Sequence, residues 1–95
     1  YQAMAMIRAD AKQAQQAWDF LTRVRALVPD DINQTGPFPA MLAKRAGYHR
    51  FWLSLQCRSR KQLQHVLTHL CDSIDSQSLA GGISWGIDVD PVDMG

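Results

Sequence analysis

The stretch "GYHRFWLSLQCRSRKQL", residues 47–63, decides the fold. Gly47 marks a turn, and residues 48–57 then alternate between two kinds of side chain, as in a strand with one buried face. The mainly apolar set comprises Phe51, Leu53, Leu55 and Cys57. The mixed set comprises Tyr48, Arg50, Trp52, Ser54 and Gln56. Ser59 with Gln62 predicts a capping box, so a helix follows the strand directly.

The flanking segments complete the order β-α-β-β-α-β. Residues 2–10 and 83–91 are typical of strands, residues 11–28 of a helix, and residues 33–47 of an extended edge segment interrupted by prolines. The order predicts an α+β ferredoxin-like plait, with a four-stranded antiparallel sheet ordered 4-1-3-2 and both helices on one face. The other face is left open or is covered by another domain.

Periodicity predicts the core of each helix. In the first helix, Asp10 is the expected N-cap, and the apolar stripe comprises Ala14, Ala17, Trp18, Leu21, Val24 and Val28. In the second helix it comprises Leu63, Val66, Leu67, Leu70 and Ile74. These stripes need an apolar floor, so the Phe51 set should face the helices. Tyr48, Arg50 and Trp52 then fall on the open face.

Length and composition indicate one globular domain. The chain has 95 residues, 46% hydrophobic and 20% charged, with no run long enough to span a bilayer and no signal-peptide pattern. It begins at Tyr1 rather than Met, and we expect a fragment of a larger protein, residues 1–95 being a single domain. Cys57 and Cys71 are too few for a structural zinc site and are expected to be buried free thiols. No catalytic motif or cofactor site is expected in this fragment.

Charge is strongly partitioned along the chain. Residues 32–71 contain no acid and six cations, namely Lys44, Arg45, Arg50, Arg58, Arg60 and Lys61. Residues 72–95 contain five Asp and no Lys or Arg. A basic middle beside an acidic tail predicts a polar molecule with a basic end, which favours an anionic partner.

The candidate nucleic-acid-binding residues lie in this basic part. Tyr48, Arg50 and Trp52 suit base stacking and phosphate contact on an open sheet face. Lys44, Arg45 and His49 flank the Gly47 turn, and Arg58, Arg60 and Lys61 straddle a helix start, where free N–H groups attract phosphate or a protein carboxylate. The alternatives are that Trp52 packs under a loop or neighbouring domain and that the basic turn is merely solvated.

Two acidic or histidine-bearing patterns have ordinary explanations. His65, His69 and Asp72 have metal-like spacing on one helical face, but no further ligand converges on them, so a solvated face is preferred. The segment that contains Asp88, Asp90 and Asp93 lacks the glycine and the terminal glutamate of a calcium loop, so an acidic strand end is preferred.

The chain resembles the C-terminal domain of the primosomal protein N′ family of replication-restart DNA helicases (PriA). The resemblance covers nearly the whole chain. It rests on Gly36, Pro37, Pro39 and Ala40; on Arg45, Ala46, Gly47 and Arg50; on Ser59 and Arg60; and on Trp85, Ile87, Asp88, Val89, Asp90 and Pro91. Phe38 and the Tyr48-His49 pair depart from the family pattern.

The resemblance implies a DNA-binding module of an ATP-dependent 3′→5′ DNA helicase that recognises stalled or branched forks and helps to reload the replicative helicase. ATP, magnesium and zinc would belong to upstream parts of the parent. The implied partners are forks and single strands of DNA, other primosome proteins, and the single-stranded-DNA-binding protein, whose acidic tail would meet Arg60. The implied location is the bacterial cytoplasm, at the nucleoid, with no membrane contact.

Two other functions stay open from the sequence. In one, the domain packs its open face on the helicase core and contacts the protein tail without major DNA contact. In the other, a plait of this kind senses a small molecule, which requires a ligand pocket that the sequence does not indicate.

Overall fold

A computed structural model describes residues 3–45, 47–77 and 81–89 of the chain, with the side chains of residues 41–45 excepted. The elements are β1 (Ala3–Ala11), α1 (Ala14–Leu27), β2 (Asn33–Arg45), β3 (Tyr48–Cys57), α2 (Arg60–Ser76) and β4 (Ser84–Val89). The strands form one sheet in the order β2-β3-β1-β4, and every neighbouring pair is antiparallel. This confirms the ferredoxin-like plait, with β2 and β4 at the edges.

The central strand β1 presents small residues to the helices. Its side chains alternate between fully buried and half-buried, and the fully buried ones are Ala3, Ala5, Ile7, Ala9 and Ala11. Ala5 pairs with Leu55 and Ile7 with Leu53, so these residues share one face with the apolar set of β3. The register therefore confirms that this apolar set faces the helices.

Helix α1 differs from its sequence-based prediction in two respects. Asp10 lies within β1 because pairing continues to Ala11, and the residue at the N-cap position is Gln13, whose side chain makes no capping bond. The predicted stripe residue Trp18 is 43% exposed, whereas Phe20, which was not in the stripe, is buried. The helix is thus turned about its own axis relative to the predicted orientation, and the Phe20 ring enters the core.

Helix α2 agrees with its predicted stripe, since all five predicted residues are buried. The Ser59 hydroxyl accepts a hydrogen bond from the Gln62 backbone N–H at 3.1 Å, which is one half of the predicted capping box. The Gln62 side chain instead donates through Nε2 to Asp31 Oδ2 at 2.7 Å. This bond ties the start of α2 to the loop between α1 and β2.

Strand β2 is irregular, as its prolines predict. Its register with β3 shifts between Thr35 and Phe38 and again between Pro39 and Lys44. Gly36 has φ +114°, and the guanidinium of Arg25 on α1 donates to its carbonyl oxygen at 2.9 Å. Within the described ranges, no helix is long and apolar enough to cross a membrane.

Candidate nucleic-acid interface

The open face of the sheet carries the aromatic residues predicted for it. Tyr48, at the start of β3, is 41% exposed, and Trp52, opposite Arg8 on β1, is half-buried. The same face includes Met4 and Met6 of β1, which alternate with the buried alanines. The centre of the open face is therefore amphipathic rather than uniformly basic.

Arg50 is engaged by an acid that the sequence analysis had assigned elsewhere. Its Nε lies 2.8 Å from Asp10 Oδ1 and its second guanidinium nitrogen 3.1 Å from Oδ2, a two-pronged charged pair. The hydrogen bond to Asp10 raises the pKa of Arg50 above its ordinary value, with smaller electrostatic contributions from Asp10 itself and from Asp88. Asp10 thus offsets the charge that Arg50 would offer to a phosphate.

Arg8 is an open-face cation that the sequence analysis missed. Its Nε lies 3.8 Å from Asp10 Oδ2, and its guanidinium covers Gly86, where an added Cβ would come within 3.1 Å of a guanidinium nitrogen. The Arg8 Nε is buried and makes no hydrogen bond within the described part of the chain. Its position two residues after Met6, on the same face of β1, was the available signal.

The basic turn between β2 and β3 is formed as predicted. Gly47 has φ +82° at the turn, and the backbone register pairs Lys44 with His49 and Arg45 with Tyr48. The side chains of Lys44 and Arg45 lie outside the described part of the structure. His49 is half-buried on the face that carries the helices.

The other basic group lies at the start of α2. Arg58, Arg60 and Lys61 are all exposed around the Ser59 cap. Strand β3 separates this group from the Gly47 turn, a distance of roughly 30 Å for a strand of its length. The predicted residues are therefore brought together as two basic groups at opposite ends of β3, with Arg50 and Trp52 between them.

The histidine face of α2 borders a groove. His65, His69 and Asp72 are exposed, and with Pro29 and Gln62 they help to line an open depression of ≈ 530 Å³. Over residues 3–45, 47–77 and 81–89, no group of three or more His, Cys, Asp or Glu side chains could hold a metal ion. Cys57 is a buried free thiol and Cys71 a half-buried one.

Two exposed residues near the first half of β3 were missed as site candidates. Lys12 follows β1 and is exposed. Trp18 of α1 packs edge-to-face with Phe51, with ring centroids 6.2 Å apart and an interplanar angle of 82°. Helical periodicity assigned Trp18 to the core, so the sequence signal was its position at the lateral edge of the apolar stripe, when the stripe is viewed down the helix axis.

The family model described as primosomal protein N C-terminal domain matches residues 1–92. Among solved structures, the de novo designed protein Foldit4 has a TM-score of 0.69 at 10% identity, covering 94% of this chain and 96% of the designed one. A hydantoinase/carbamoylase family amidase from Burkholderia ambifaria has a TM-score of 0.58 at 14% identity, covering 93% of this chain and 27% of the amidase. At these identities the two structures support the fold alone.

Proposed function

The chain belongs to the primosomal protein N C-terminal domain family, whose context is the primosome and replication restart, and on that premise we propose that it is a DNA-binding module for stalled or branched forks. The observation that carries the proposal is the pair of basic groups at opposite ends of β3. Strand β3 holds them roughly 30 Å apart. Residues 32–71 contain no acid, although Asp31 of the preceding loop lies beside the start of α2. Such a spacing suits contact with two separated phosphate groups on one DNA backbone or on two fork arms.

The contacts proposed for DNA are mostly electrostatic. Lys44, Arg45, Arg58 and Lys61 would bind phosphates, while Tyr48 and Trp52 offer aromatic rings to unpaired bases. His49 adds a further donor near the turn. Arg50 is already paired with Asp10. Its main role is therefore to join β1 and β3 at the open face rather than to neutralise a phosphate.

Substitution of both turn cations tests this proposal. Lys44→Ala combined with Arg45→Ala should weaken binding to a forked DNA without lowering the melting temperature, because both are charged residues beside a turn, and unpaired lysine and arginine are seldom core residues. His65→Ala, on the exposed face of α2, is the matched control and should leave fork affinity and melting temperature unchanged. Equal fork affinity in the double variant and the control would contradict the proposal.

A second candidate function, docking on another protein domain, is favoured by the open face. Met4, Met6 and Trp52 are half-buried there, and the Asp10–Arg50 pair reduces the net charge of the surface. A face of this kind suits a protein surface better than a polyanion. The fork-binding test separates the two functions, since a docking domain would show no loss from the turn substitutions.

We further propose that Arg60 binds the acidic tail of the single-stranded-DNA-binding protein. Arg60 is the first residue of α2, where the helix start already favours an anion. Its guanidinium can donate two parallel hydrogen bonds to a carboxylate, which lysine cannot. Other primosome proteins complete the set of partners.

Calorimetry with a peptide of that tail tests the role of Arg60. Arg60→Ala should cost about 1.5–3 kcal/mol of tail affinity, the range for a charged hydrogen bond, and Arg60→Lys should recover part of it. Fork binding should change less, because Arg60 would be one cation among several. Intact tail binding with abolished fork binding in Arg60→Ala would assign the residue to DNA instead.

We propose that other parts of the parent protein supply the helicase chemistry. We propose that the domain works in the bacterial cytoplasm, at the nucleoid, as part of an ATP-dependent 3′→5′ helicase. ATP and magnesium would bind the motor and zinc a separate cysteine-rich segment of that protein. In the described ranges of this chain, Cys57 and Cys71 are free and belong to no group that could hold a metal ion.

A further inference from the structure

Trp18 and Phe51 form an exposed aromatic step on the helix-bearing face, close to the Gly47 turn. Trp18 is 43% exposed, whereas Phe51 beneath it is half-buried and packs against the core. The edge-to-face contact, with centroids 6.2 Å apart, fixes the two rings relative to each other. A large ring held in place yet open to solvent is preorganised for a flat partner.

One basic side chain shares the face of the aromatic step, and a second lies in the bend that leads from β1 to α1. His49 lies two residues before Phe51 on the same face of β3, and its register partners are Ala11 and Lys44. The exposed Lys12 directly follows Ala11.

The two acids nearest in the chain lie away from the aromatic step. Asp10 lies on the opposite face of the sheet and is paired with Arg50. Asp19, next to Trp18 in the chain, keeps its charge, but it lines a different depression together with Phe20 and Ile83 and accepts a hydrogen bond from Gln15 at 2.9 Å.

We propose that the aromatic step stacks an unpaired nucleobase of single-stranded DNA, with Lys12 and His49 directed to the flanking phosphates. Every base has a π-face, so stacking on Trp18 needs no particular sequence, and a nearby lysine with an imidazole donor favours a polyanion over an apolar peptide. The site lies on the helix-bearing face and is thus separate from Tyr48 and Trp52. The inference rests on the proposed function and specifies the form of DNA that this end of the domain binds.

Oligothymidylate binding by the 95-residue chain, followed by fluorescence anisotropy, tests the site. Trp18→Ala should weaken single-strand binding by roughly 5- to 150-fold, the range for loss of one base stacked on an aromatic ring. Trp18→Phe should retain part of the affinity. Val89→Ala, which truncates a side chain that is 40% exposed on β4, is the matched control and should leave the affinity unchanged.

An abasic strand of the same length separates stacking from charge. The unsubstituted chain should bind the abasic strand more weakly than oligothymidylate, while Trp18→Ala should bind the two alike. Melting curves check that each variant is folded. If Trp18→Ala keeps the preference of the unsubstituted chain for strands with bases, the inference is overturned although fork binding survives. If the unsubstituted chain binds neither forks nor single strands, the proposed function fails with it.

Discussion

At the scale of single residues, the pairing of Asp10 with Arg50 decides what the open face can do. Both side chains are partly buried, Asp10 at 17% and Arg50 at 33% exposure, and two hydrogen bonds join them. Arg8 also approaches the Asp10 carboxylate. One carboxylate therefore stabilises two cations that would otherwise repel each other across neighbouring strands.

Asp10→Asn should destabilise the fold because it removes the negative charge but keeps the size of the side chain. We expect a loss of about 1.5 kcal/mol in the free energy of unfolding, the lower end for a charged hydrogen bond, since solvent screens a partly exposed pair. Denaturant unfolding measures the loss. Asp19→Asn, at an exposed carboxylate on α1, is the control and should change stability by less than about 0.5 kcal/mol.

A double-mutant cycle completes this test. In an Arg50→Gln background, Asp10→Asn should cost much less than in the unsubstituted chain, because the partner of the carboxylate is gone. Equal costs in the two backgrounds would show that Asp10 acts through Arg8 or through the strand itself.

Cys71 should be a slow nucleophile near neutral pH. Burial, with smaller contributions from Asp75 and Asp72, raises the pKa of its thiol above the ordinary value of 9.0. In a Cys57→Ala background, the rate of alkylation by iodoacetamide should therefore rise with a midpoint above 9.0. Asp72→Asn with Asp75→Asn should lower that midpoint only in part, because burial is the larger cause.

The raised pKa of Cys71 also determines whether stability rises or falls with pH. Well below pH 9.0 the thiol is protonated in both the folded and unfolded states, and its contribution to stability does not vary with pH. Between 9.0 and the raised folded value, the unfolded chain loses its proton first, so stability falls as pH rises. An alkylation midpoint at or below 9.0 would contradict the environment described for Cys71.

At the scale of elements, local periodicity correctly predicted which residues of α2 and β3 face the core, because these features depend on one segment alone. The α2 stripe and the β3 alternation were correct because each follows from side chains a fixed number of positions apart. The Asp10 cap was wrong because pairing with β3 extends β1 to Ala11. Trp18 was wrongly predicted to be buried. Periodicity predicts which side of a helix faces the sheet, but it does not predict how far around the helix the sheet excludes solvent. The Asp10–Arg50 pair depends on cross-strand register, which no single segment contains.

Three glycines provide a graded test of turn and strand geometry. Gly36 has φ +114°, and a Cβ there would lie 2.9 Å from the Trp52 carbonyl oxygen. Gly47 has φ +82° with open space around it, whereas Gly81 has open space and no such φ. Alanine should therefore cost most at Gly36, about 1 kcal/mol at Gly47 for backbone strain alone, and almost nothing at Gly81.

Thermal or denaturant unfolding of the three variants establishes the order. A Gly36→Ala variant as stable as Gly81→Ala would show that the irregular part of β2 can relax away from β3. A costly Gly81→Ala would mean that the turn before β4 is more constrained than its open surroundings indicate.

At the scale of the whole molecule, the two basic groups should make DNA binding strongly salt-dependent. Lys44, Arg45, Arg58 and Lys61 are the four cations of these two groups that are proposed to contact phosphates. Release of counterions from about four phosphates gives a slope of log affinity against log salt of roughly −3 for single strands and −3.6 for duplex. Binding measured across a salt series on both forms of DNA checks the two values.

Single substitutions within that series distinguish cations that bind phosphate from those that hold the fold. Lys61→Ala removes one proposed contact, so the slope should become shallower by roughly 0.7–0.9. Arg50→Gln should leave the slope unchanged, because Asp10 already holds that guanidinium, and should instead lower the melting temperature. Should Arg50→Gln reduce the slope as much as Lys61→Ala, the guanidinium must exchange Asp10 for a phosphate when DNA binds. A slope near zero in the unsubstituted chain would exclude an electrostatic interface and leave docking on another protein as the function of the open face.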